Sequence, residues 1–92
     1  MIKTFRHKGL REFFLTGSKS GIRPGHAARL ERILDRLDAA SESRDMDYPG
    51  SNLHRLTEDL RGLYAVKVSA SWRLLFEFAR GTAYEVDYVD YH

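Results

Sequence analysis

The chain closes on three successive groups that hold or move protons, Asp90, Tyr91 and His92. His is the side chain whose ordinary pKa, about 6.5, lets it act as acid or base near neutral pH. Upstream, His54 follows Leu53 and Arg73 follows Trp72. A carboxylate or imidazole can take the proton of a ribose 2′-hydroxyl, and another can return one to the leaving oxygen. A guanidinium can bind the phosphate between them through its planar fork. These are the parts of a metal-independent ribonuclease. Asp90 and His92 both stay open as base or acid. Tyr91 suits stacking on a base or a hydrogen bond to phosphate.

Other polar residues weigh less. Arg73 follows an apolar Trp in a strand, so alternation turns it away from the core. His54, beside Leu53 and Leu56, suits either a site or a half-buried structural ring. His7 and His26 read as surface residues. No His-x-His or His-x-x-x-His spacing occurs, so neither a metal nor another cofactor is expected.

Ninety-two residues, 42% of them apolar, make one domain with one small core. Cys is absent, which excludes disulfides and thiolate zinc sites. No apolar run approaches a membrane span, and the first eight residues are too polar for a signal peptide, so a cytoplasmic protein is expected. Charge is segregated. Residues 1–36 carry nine Lys/Arg against three Asp/Glu, and residues 37–92 carry six against ten. The basic half suggests a polyanion partner. Arg29, Arg32 and Arg36 form a stripe on one helix, and Lys3, Arg6, Lys8 and Arg11 can join it against RNA. The alternative is a solvated face, since Glu31, Asp35 and Asp38 are interspersed.

The elements that must position these residues follow from periodicity. Ile2 to Phe5 is a short candidate strand. Leu10, Phe13 and Phe14 give a helix over 8–15, ended by Gly17. Pro24 suits the start of a longer helix whose stripe is Ala27, Leu30, Ile33, Leu34 and Leu37. Residues 41–52 read as loop. Strands are expected over 53–56, 63–68, 72–78 and 83–89, with Arg80-Gly81 as a hairpin turn. The order β-α-α-β-β-β-β predicts an α+β fold, a mainly antiparallel sheet with two helices on one face.

The middle hairpin has two readings. A two-residue loop, Ala70-Ser71, pairs Trp72 with Ser69 and, continued in register, mixes both faces. A three-residue loop, Ser69-Ala70-Ser71, sets Trp72 against Val68, Leu74 against Val66 and Phe76 against Tyr64. A one-residue slip flips every side chain, so patterning favours the second. It also opposes Lys67 to Arg73, a repulsion of up to about 1 kcal/mol that an anion between them would relieve.

Several short motifs, in order, resemble the HigB toxins of the RelE-like ribonucleases. They are Met1-Ile2-Lys3 with Phe5, His7-Lys8-Gly9-Leu10, Leu53-His54 with Leu56, Asp59 with Gly62, Trp72-Arg73, and Asp90-Tyr91-His92. The resemblance spans the chain. It implies a toxin that enters the ribosomal A site and cuts mRNA, held in check by a helix-turn-helix antitoxin of the HigA type. A toxin–antitoxin heterotetramer is one assembly open to it. The family's active-site positions match His54, Arg73, Asp90, Tyr91 and His92. After His54 the family usually reads Pro-Leu-Lys-Gly-Asp, whereas this chain has Arg55, Leu56, Thr57, Glu58 and Asp59. Thr57 removes a phosphate-binding cation. Arg55 and, by the hairpin register, Lys67 are candidates for RNA binding nearby. The rival reading is a catalytically weak homologue that occupies the ribosome or acts as co-repressor with its antitoxin.

Overall fold

The computed structural model describes residues 1–57 and 62–91. Helix α1 spans Lys8–Thr16 and α2 spans Ala27–Ala39. Strands β1 (His54–Arg55), β2 (Tyr64–Ser69), β3 (Trp72–Ala79) and β4 (Thr82–Asp90) form one antiparallel sheet in that order. The α+β architecture expected from the sequence is therefore present.

Helix α1 begins because His7 caps it: its Nδ1 accepts the Leu10 backbone N–H at 3.0 Å. It ends at Gly17, whose φ of 80° gives a left-handed cap with its N–H on the Phe13 carbonyl. A short 3₁₀ turn, Pro24–His26, leads into α2. The apolar stripe of α2 is buried as its spacing requires. Leu10, Leu30, Leu34 and Leu37 meet Val66, Val68, Leu74, Phe76, Val86 and Tyr88 of the sheet in one core. Each buried Leu contributes roughly 1.5–3 kcal/mol of transfer free energy.

Three expectations need correction. Ile2 to Phe5 is not a regular strand. It bridges β4 only at Ile2–Ala83 and Phe5–Val86, in parallel. The cause is a bulge in β4: the β3–β4 register shifts between Leu75 and Glu77, and Glu85 has a φ of 52°. Thr4 fills the interruption by accepting the Glu85 N–H on its hydroxyl. The 41–52 segment holds a 3₁₀ turn, Ser43–Met46, with Met46 and Ser51 fully buried.

The middle hairpin is a hybrid of the two readings. Tyr64–Phe76, Val66–Leu74 and Lys67–Arg73 are paired, as the apolar face demands. The loop, however, is Ala70-Ser71, and Ser69 pairs with Trp72. The register shift between Lys67 and Ser69 absorbs the difference, so Val68 stays buried. A bulge thus lets a tight turn coexist with a one-sided apolar pattern. Arg80 and Gly81, both at positive φ (53° and 76°), form the other hairpin turn as expected.

Candidate functional site

Alternation along the strands divides the candidate residues between two faces. Residues paired across an antiparallel ladder point the same way. Trp72, Leu74, Phe76 and Tyr88 face the helices. Ala65 and Leu75 face the other way, in a second small cluster with Leu63, Leu56 and Val89. His54 pairs with Ala65, and Lys67 pairs with Arg73, which pairs with Val89. His54, Lys67 and Arg73 therefore share the face without helices. Asp90 pairs with Trp72 and lies two residues from Tyr88, so it belongs to the helix-covered side at the end of the sheet.

His54 is exposed, and its Nδ1 lies 2.9 Å from the Asn52 carbonyl. A carbonyl only accepts, so Nδ1 carries a proton, and in the neutral form of the ring the lone pair suited to proton abstraction is on Nε2. Asn52, at a φ of 49°, aims that carbonyl. Arg73 Nη1 donates to the Ala70 carbonyl at 2.6 Å and to its neighbour Trp72's at 3.0 Å. The guanidinium is thereby fixed over the turn with three further N–H donors. Two strand spacings and two residue rises separate His54 from Arg73, about 12 Å between Cα atoms.

Asp90 is exposed and accepts a short hydrogen bond from the Ser71 hydroxyl. The Tyr91 N–H continues the ladder to the Ser71 carbonyl at 2.8 Å, and its ring is 49% exposed. His92, Glu58 and Asp59 lie outside the described residues. Thr57, where the family's lysine would stand, is exposed.

The basic residues form separate groups. Arg29, Arg32, Arg36 and Lys67 line a groove of about 510 Å³ between α2 and the β2 edge, with Tyr48, Pro49 and Gly50. Among the described residues, no carboxylate lines it. The Arg29 guanidinium is held by the Val68 carbonyl at 2.7 Å, and Arg36 by the Asp45 carbonyl at 2.8 Å. Arg36 also lies over the Tyr48 ring, at 4.8 Å. The buried Tyr48 hydroxyl has no hydrogen-bond partner among the described residues, and burial raises its pKa. At the opposite sheet edge, beside β4, Arg6 meets Asp87 at 3.9 Å. Arg11 meets Glu12 at 3.3 Å on α1. Lys3 and Lys8 are exposed there. Arg55 lies over the Tyr64 ring at the far end of the sheet from the tail. The N-terminal group and the α2 stripe thus do not form one patch.

His7 and His26 are not the surface residues their context suggested. Both rings pack edge-on against Tyr88, at 5.4 and 6.0 Å between centroids. His26 Nδ1 is 2.6 Å from the Tyr88 hydroxyl. No local pattern announces this, because the contact joins positions 62 residues apart.

A family model described as the RelE-like toxin of type II toxin–antitoxin system HigB matches residues 3–92. The chain belongs to the HigB-like toxin family. It is 38% identical to Endoribonuclease HigB of Proteus vulgaris over the full length of both chains. Toxin HigB-1 of Vibrio cholerae serotype O1 is 30% identical over the whole chain and 98% of its own length. The protein is thus an endoribonuclease toxin of a type II system, and such a toxin has an antitoxin partner. Among the described residues, no helix is long and apolar enough to cross a membrane.

Proposed function

We propose that this toxin cuts mRNA in the ribosomal A site, in the cytoplasm, by metal-independent attack of the ribose 2′-hydroxyl on the adjacent phosphate. The observation that carries this reading is the separation of the site residues. His54 and Arg73 are about 12 Å apart at Cα on one face, and Asp90 sits around the sheet end on the other. Such an open surface has little means of ordering a flexible strand, and a pre-aligned mRNA removes that entropic cost. Arg73 binds the phosphate. Asp90 and His92 exchange protons with the 2′-hydroxyl and the 5′-leaving oxygen. Tyr91 stacks on a base or holds the phosphate, and His54 Nε2 supports proton transfer from the open face. The products are a 2′,3′-cyclic phosphate, which opens to a 3′-phosphate, and a 5′-hydroxyl.

The cations of the α2 groove, which no carboxylate lines among the described residues, suit ribosomal RNA, as do Lys3, Lys8, Arg6, Arg11 and Arg55 to a lesser degree. A helix-turn-helix antitoxin, in a heterotetramer or a simpler complex, neutralises the toxin. The exposed Thr57 favours a second reading, a weak nuclease that blocks the A site or serves chiefly as co-repressor. Incubating the protein with translating ribosomes and mapping mRNA ends separates the two. We expect A-site cuts bearing the stated ends. Rapid, specific cutting of naked RNA at nanomolar protein contradicts ribosome dependence, and intact mRNA on stalled ribosomes favours the second reading.

A further inference from the structure

We infer that His26 is a positioning residue for RNA cleavage: it clamps Tyr88 and, with Arg23, the Trp72 ring, and so fixes the strand end that carries Asp90 and Tyr91. This rests on the reading of the tail as the reacting segment.

The clamp closes on one hydroxyl: His26 Nδ1 lies 2.6 Å from the Tyr88 phenol oxygen. Burial raises the Tyr88 pKa, so the phenol keeps its proton. Burial, then Arg23 and Arg29, lower the His26 pKa, while Asp90 opposes this. Both effects favour the neutral imidazole, which shares one hydrogen bond with the phenol.

The clamp reaches the tail through stacked rings. Tyr88 is 4.5 Å from Trp72 between ring centroids, and His26 packs edge-on to Trp72 at 5.5 Å. Trp72 pairs with Asp90, and the preceding Ser71 holds both the Asp90 carboxylate and the Tyr91 N–H. The Arg23 guanidinium covers the outer side of Trp72, 5.7 Å from its centroid. Close approach of the backbones holds the loop here: a Cβ on Gly9 would lie 2.5 Å from the Gly21 carbonyl oxygen. Small displacements of reacting groups cost as much as 10²-fold in rate, by general experience. A polar clamp on a buried ring two residues from Asp90 limits such displacement.

The test is a set of variants assayed for single-turnover mRNA cleavage on translating ribosomes. Tyr88→Phe removes only the hydroxyl. We expect its maximal rate to fall about 10-fold, with half-saturation within twofold and thermal midpoint nearly unchanged. His26→Ala should match it, and the double variant should be no slower than either single one. His26→Asn, whose amide oxygen can accept the phenol proton, should recover most of the rate. Wild-type cleavage by Tyr88→Phe while Asp90→Asn is inactive overturns the inference and spares the tail reading. Full activity of Asp90→Asn overturns both. Multiplying single effects, or rate losses that follow the unfolded fraction, also overturn the inference.

Discussion

Two rows of side chains leave the same end of the sheet and meet different surroundings. On the face without helices, Lys67 and Arg73 stand opposite one another, with His54 one row further along. On the helix-covered side, Asp90 is set among Ser71, Trp72, Tyr88 and His26. The first row is cationic. The second holds a carboxylate backed by aromatic rings. A period of two, applied at neighbouring residues, places the residues proposed for phosphate binding and for proton transfer on either side of one strand end. Keeping them apart has an electrostatic consequence. A carboxylate on the same row as Arg73 would pair with it and compete with the phosphate, and Asp90 stands on the other row, where it accepts a hydrogen bond from the Ser71 hydroxyl.

Removing the chemistry of the helix-covered row should have the largest effect. Asp90→Asn preserves shape and the Ser71 contact but cannot accept a proton as a base. Cleavage should fall by roughly 10² or more if Asp90 is the general acid or base. Single-turnover rates on ribosomes, with folding checked by thermal melting, would decide it. A variant retaining wild-type rate would remove Asp90 from the chemistry and leave that row purely structural. Arg73→Ala comes next. A hydrogen bond to a charged group contributes about 1.5–3 kcal/mol, roughly 10- to 150-fold. Arg73→Lys should recover less than half of that loss, because a point charge cannot reproduce the fork fixed over the turn. Equal rates for the Lys variant and wild type would mean that Arg73 acts only through its charge.

Much of this arrangement was legible in the chain, and the illegible parts share a cause. The α2 stripe, the Gly17 cap and the Arg80-Gly81 turn all follow from local rules and are observed. The Lys67–Arg73 pairing followed from the demand for one apolar face. The bulge that reconciles it with a tight turn did not, because a bulge leaves alternation intact on both sides. The motif His7-Lys8-Gly9-Leu10 carried part of the family resemblance, yet three of its four residues are structural. His7 caps α1, Gly9 admits the crossing loop and Leu10 is fully buried. The division of Asp90 from Arg73 depends on which face the helices cover, and His26 depends on a distant contact. Neither is a property of nearby residues. The sequence likewise merged the basic residues into one stripe that the sheet separates to opposite edges.

The smallest effect tests that separation. Lys67 belongs to both regions: it faces Arg73 across the ladder, and it lines the groove with Arg29, Arg32 and Arg36. β1 pairs β2 only as far as Ala65, so the Lys67 N–H turns outward to the Ser51 carbonyl at 2.7 Å. Lys67 thus stands half-buried on β2 beyond the end of β1, between Arg73 and the groove. We propose that it replaces the lysine absent at Thr57. Lys67→Ala should slow cleavage several-fold, up to about 10-fold, as expected for one lost charge-assisted contact. Thr57→Lys should restore part of the rate in that background, since Thr57 is exposed and a lysine there meets no steric obstacle from burial. Arg6→Ala is the matched control, because Arg6 already has Asp87 as partner at the opposite edge. Its rate should stay within about twofold, in keeping with the small energies of surface pairs. An Arg6→Ala defect as large as that of Lys67→Ala would show that both edges bind RNA alike. An unaltered Lys67→Ala rate would leave Arg73 without a cationic neighbour in the reaction.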